Sequence, residues 1–223
     1  MAESDQASPV NDPGPAPGRS CGTCGLCCKL LGVSELDKPN DRWCVHHRPG
    51  SGCSIHGSHP QSCRTFYCGW MRMADWGDEW RPTKAHLVLY WTNGGKRLVV
   101  HVDPNYPGAW RKSPYLESLR DWSREIRQGR EIIVRERDRV IAILPDKEVD
   151  LGKFEPDDRL YIGEMTTAHG KEYFAEKRKV GDPRKLGMTV VPGAAPLNPT
   201  TAVGMAGLMA VAPIGGRLPE EKP

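Results

Sequence analysis

The chain has 223 residues, of which 38% are hydrophobic; with glycine counted, the apolar share is roughly 46%, which is ordinary for a globular protein and excludes wholesale disorder. Gly and Pro number 24 and 20, so long loops or tails are expected. A formal net charge of +3, from 31 basic and 28 acidic residues, is too weak to argue for nucleic acid.

Residues 1–20 are rich in Pro, Ser and Gly and read as a disordered leader. They lack the basic start and apolar run of a secretory signal, so a cytoplasmic chain is expected. No stretch reaches the ~18–20 apolar residues that cross a bilayer. The nearest, Ala202 to Ile214, is short and broken by Pro213.

Residues 21–82 show neither period 2 nor period 3.6. A segment without periodicity builds little core of its own, so something else must hold it. All eight cysteines lie here, at Cys21, Cys24, Cys27, Cys28, Cys44, Cys53, Cys63 and Cys68. In spacing notation this is C-x2-C-x2-C-C-x15-C-x8-C-x9-C-x4-C. A C-x2-C turn lets two thiolates converge on one ion, and here two such steps are chained through Gly22 and Gly25. In a reducing compartment such a group reads as metal-binding rather than disulfide-bonded. The ligand set is therefore these eight cysteines, and the metal is zinc or iron, with an iron–sulfur cluster open. Both zinc and thiolate-held clusters take four ligands, so counting does not separate them. If Cys27 and Cys28 are extended, their side chains point apart and Cys28 serves a second centre or stands spare. Lys29, Arg42, Arg48, Arg64 and Arg72 are available to offset thiolate charge. His46, His47, His56 and His59 read as surface or hydrogen-bonding residues. Trp43, Trp70, Trp76 and Trp80 read as a cap on a small core that shields the metal from water.

From residue 84 the pattern is regular. Leu87–Trp91 and Leu98–Val102 read as strands joined by an Asn93-Gly94 turn. Ser113-Pro114 reads as an N-cap followed by Pro at the first helical position. Tyr115, Leu119, Trp122 and Ile126 share one helical face, ended by Gly129. Ile132–Val134 and Val140–Leu144 form a second hairpin, stopped by Pro145. Weaker strands are expected at Arg159–Ile162 and Lys171–Phe174, and Lys177-Arg178-Lys179 as a solvated strand end. Residues 181–223 are Pro-, Gly- and Ala-rich and read as a flexible tail. The expected fold class is α+β: a loop-rich, Cys-ligated metal module over 21–82, packed with a small, mostly antiparallel sheet and one main helix over 83–180, between disordered termini.

The stretches CGTCGLCC and GCSIHGSHPQSCRTFYC resemble the CxxCxxCC cysteine-cluster family, the YkgJ-like proteins. The family's second block, C-x-I-Y-x-x-R-P-x-x-C-R-x-F-x-C, corresponds here to Cys53, Ile55, Pro60, Cys63, Arg64, Phe66 and Cys68. His56 stands where Tyr is usual and His59 where Arg is usual. The resemblance covers about residues 21–70 and implies zinc or iron chelation. It implies no reaction.

No phosphate loop, dinucleotide fingerprint or nucleophile elbow is present. The leading expectation is a metal-binding protein in which the metal chiefly organises the fold. An iron–sulfur redox or group-transfer enzyme, with substrate on the α+β part, is the alternative. A zinc-dependent nucleic-acid module is third, and the near-neutral charge speaks against it. No membrane association is expected, and a protein partner is left open.

Overall fold

A computed structural model describes residues 14–182 apart from residue 169. Most of the leader and almost all of the expected tail lie outside these residues. Nine strands and five short α-helices are assigned among them. None of these helices is long and apolar enough to cross a membrane.

The centre is a five-stranded sheet in the order β3-β4-β5-β6-β7, formed by β3 (Leu87–Thr92), β4 (Arg97–Val102), β5 (Glu131–Glu136), β6 (Arg139–Ile143) and β7 (Glu148–Lys153). β4 and β5 pair parallel; the other three pairings are antiparallel. The sheet is thus mostly antiparallel, as expected. β7 was not legible in the sequence: Glu148, Asp150 and Lys153 break its apolar pattern, and it is an edge strand with no residue fully buried. The Asn93-Gly94 turn is a four-residue loop, because β4 opens at Arg97 opposite Thr92.

Both faces of the sheet are buried, which explains the continuous apolar runs of β3, β4 and β5. Leu87, Leu89, Trp91, Leu98, Val100, Val102, Ile132 and Val134 point to one face. Val99, Ile133, Val140 and Ala142 point to the other. The crossover from β4 to β5 supplies the cover for the first face. It carries Trp110, fully buried, and α5 (Tyr115–Ser123), with Tyr115 and Leu119 facing the sheet. Pro114, not Ser113, occupies the cap position of α5, and no side chain caps it. After Arg124 the helix tightens to a 3₁₀ turn, so Ile126 leaves the predicted face and packs with the second cluster. Two buried aromatics have their polar tips satisfied: Trp110 Nε1 donates to Glu136 Oε1 at 2.6 Å, and Tyr115 Oη donates to Glu79 O at 2.8 Å.

The second face is shared. Over β5 and β6 it is covered by a long hairpin of β8 (Asp158–Thr167) and β9 (Gly170–Lys179), through Leu160 and Ile162. These strands extend well beyond the two weak signals in the sequence. Arg178 in the expected solvated end is buried, with its charge met by Glu176. Over β3 the face is covered by the cysteine segment, where Val88 packs against Leu26, Leu30, Leu31, Cys68 and Met71.

Two boundaries differ from expectation. Met73, Trp76, Trp80 and Ala85 belong to the core of the sheet, so the cysteine segment effectively ends near residue 72. Residues 14–20, assigned by composition to the leader, are pinned. Ala16 N–H donates to Met71 O at 2.7 Å, and the Arg19 guanidinium donates to the carbonyls of Trp70, Met73, Ala74 and Trp76. Arg19 also lies over the Trp70 ring, 4.8 Å from its centroid.

Candidate metal centre

The cysteine segment has few repeating hydrogen bonds of its own. Its helices are α1 (Leu26–Leu30), α2 (Gln61–Arg64) and α3 (Gly69–Arg72), and its only paired strands are β1 (His47–Arg48) and β2 (Gly52–Cys53). α1 forms because Leu26 and Leu30, one turn apart, bury against Val88. Cys27 and Cys28 therefore sit in a helix, about 100° apart around its axis, and not on opposite sides of an extended chain. Both face the same cavity.

That cavity has a volume of about 130 Å3 and is lined by Cys21, Cys24, Cys27, Cys28, Cys44, Cys53 and Cys63. Seven of the eight predicted ligands thus line one cavity. Leu31, Val33, Leu36, Ile55 and Phe66 supply its apolar wall. The eighth, Cys68, is not part of this lining and is buried among Leu26, Leu30 and Met71, with Cys24 and Cys27 packed against that cluster. All eight are free thiols. Among the described residues, no three His, Cys, Asp or Glu side chains are already drawn together as a metal ligand set.

Backbone contacts bring the segments together. Cys24 N–H donates to Cys21 O at 2.9 Å, closing the first turn. Cys44 N–H donates to Cys28 O at 3.0 Å, and His47 N–H donates to Cys44 O at 3.0 Å. His47 then pairs with Cys53 across β1 and β2. Ser62 next to Cys63 is held by Glu35, whose carboxylate accepts from Ser62 N–H at 3.1 Å and from its hydroxyl at 2.9 Å. Gly52 is required where β2 passes the first turn: its φ is +83°, and a Cβ there would stand 2.9 Å from Gly22 O. Gly52→Ala is expected to cost about 1–3 kcal/mol in strain. An unchanged denaturant midpoint would contradict this.

The electrostatics single out Cys28. A hydrogen bond from Cys27 and the nearby Lys38 ammonium lower its thiol to about 7. Cys27 is pushed well up by that same hydrogen bond and by burial. Burial raises Cys21 and Cys63, and pushes Cys68 up to about 12. Lys38 is the cation that sequence reading missed. Its side chain is buried and its Nζ donates to the carbonyls of Lys29, Leu31 and Pro39, while Cys44 and Cys28 attract its charge. In sequence it sits in the polar run from Glu35 to Asn40, indistinguishable from a surface loop. Lys29, offered as a counter-charge, is instead paired with Asp103 in a buried bridge.

The histidines divide. His46, His56 and His59 line the cavity, with His56 and His59 stacked at 4.9 Å. His59 Nδ1 accepts from Gly57 N–H at 3.0 Å, so its neutral ring carries the proton on Nε2. His47 fills the space over Gly25 and stacks on Trp43 at 4.3 Å. His101 is buried in β4 with Nε2 at 2.9 Å from Asp41 Oδ1. The tryptophans do not shield the cavity. Trp76 and Trp80 are in the core of the sheet, Trp70 lies between Arg19 and Arg81, and Trp43 is 52% exposed. None of the four lines the thiol cavity. Trp76 and Trp80 went to the larger apolar surface on offer, the sheet, with Trp70 partly buried against it.

No family model, no curated protein and no solved structure matches this chain. The family resemblance therefore rests on the spacing of residues 21–70.

Proposed function

We propose that this chain is a metal-binding protein whose cysteines hold zinc, or iron with or without sulfide, and that the metal chiefly organises residues 21–72. The ligands would be Cys21, Cys24, Cys27, Cys28, Cys44, Cys53, Cys63 and Cys68. One observation carries the reading. Seven thiols from four separate stretches of chain meet at one cavity, in a segment whose helices have five residues or fewer and whose strands have two. The donor set fits: thiolate is the ligand that selects zinc and iron–sulfur clusters. The apolar wall and the Lys38 ammonium supply the dry, charge-compensated surroundings that such centres use.

The test is anaerobic purification of the full chain, followed by elemental analysis and an absorption spectrum. At least one equivalent of zinc or iron is expected. A colourless zinc protein and a coloured iron protein are told apart by the spectrum. A metal-free chain whose residues 21–72 resist hydrogen exchange would overturn the proposal.

A further inference from the structure

We propose that the eight cysteines form two four-thiolate centres: Cys21, Cys24, Cys27 and Cys68 in one, and Cys28, Cys44, Cys53 and Cys63 in the other. The inference rests on the metal-binding reading and adds the number of centres and their membership.

Cys68 decides the first set. It does not line the cavity, and Cys24 and Cys27 are the cavity-lining cysteines packed against its hydrophobic cluster. Those two therefore belong both to the cavity lining and to the surroundings of the Cys68 cluster. The turn closed by Cys24 N–H on Cys21 O carries Cys21 with them. The second set follows from the backbone. Cys28 O accepts from Cys44 N–H, Cys44 O accepts from His47 N–H, and His47 is the β1 partner of Cys53. This ladder links the backbone at Cys28, Cys44 and Cys53, all three of which line the cavity. Cys63 lines the same cavity from α2, which Glu35 ties to the loop following α1. Cys27 and Cys28 leave α1 about 100° apart and their thiols are hydrogen-bonded to each other, so the two centres would adjoin at this pair. Four thiolates close a tetrahedral zinc site or hold one cluster, so eight in two sets leave no ligand over. His59 is outside both sets because its Nδ1 is engaged by Gly57 N–H, and His47 because its ring is packed on Gly25.

The experiment uses the full chain reconstituted with zinc. Bound zinc is counted, and thiols are mapped by alkylation and peptide mass spectrometry as a chelator is added. Two equivalents are expected, with the thiols becoming reactive in the two groups of four. Cys68→Ser should bind one equivalent and expose Cys21, Cys24 and Cys27 while the other four stay protected. Cys53→Ser should do the reverse. One equivalent in the wild type, or exposure that mixes the sets, overturns the division but leaves the metal-binding reading standing. No bound metal at all overturns that reading. Should either variant fail to fold, the wild-type count and release pattern decide alone.

Discussion

Stripping the metal with a chelator should abolish amide protection across residues 21–72 and leave β3 to β6 protected. The cysteine segment has only short helices and a two-residue pairing, so few of its backbone bonds are cooperative. Its apolar contribution is one small cluster around Leu30 and Met71. Structural zinc in small peptides is worth about 10–16 kcal/mol of apparent binding free energy, as much as the net stability of about 5–15 kcal/mol of a whole domain. Losing it exceeds what that cluster can offset. Met73, Trp76 and Trp80 stay protected on the sheet side of the boundary, since they pack in a core that contains no cysteine. Hydrogen exchange with mass spectrometry, before and after chelation, reads this directly. Undiminished protection in residues 21–72 would show that the segment folds without metal.

Arg97→Met should destabilise the sheet by about 3–5 kcal/mol, the usual cost of removing one partner from a buried ion pair. Arg97 and Glu131 face each other at the start of the parallel strands β4 and β5, with side chains 1% and 5% exposed and Arg97 Nε 2.6 Å from Glu131 Oε2. Burial pushes the Glu131 carboxyl above its ordinary range even with the guanidinium beside it. Without Arg97, the carboxylate must protonate or drag water into the core. The double variant Arg97→Met with Glu131→Leu should recover most of the loss, because an apolar pair of similar volume often replaces a buried ion pair without cost. Urea denaturation of the three proteins decides. A single variant within about 1 kcal/mol of wild type would mean the pair is not desolvated as the sheet implies.

The sheet could be read in the sequence wherever a strand is apolar along its whole length. Leu87–Trp91, Leu98–Val102, Ile132–Val134 and Val140–Leu144 all lie in strands or at their ends. Nothing local announced that β4 and β5 run parallel; that depends on the crossover packing across one face. β8 and β9 were read as short because Glu164, Lys171, Glu172 and Lys177 dilute their pattern, although the backbone pairs over ten residues in each. At the candidate site, the cysteines were found by type and spacing, and the cavity gathers seven of them. Lys38, Asp41 and Glu35 were not found, because a polar residue that turns inward to hold a loop carries the same letter as one that turns outward. The tryptophans were misassigned for a related reason: composition places them near the cysteines in sequence, and only the sheet says which surface they bury.

The two polar grips at the end of β4 bear on how such a chain could be filled. Lys29, the residue after Cys28, is bridged to Asp103, and Asp41, shortly before Cys44, is bound to His101. Both anchors belong to or follow β4, the strand expected to keep its protection after chelation. An emptied loop tied at two points cannot drift far, so its sulfurs remain at a high effective concentration for one another. On the metal-binding proposal, recapture of an ion would then be an intramolecular closure on a finished platform, with exchange that leaves the sheet intact.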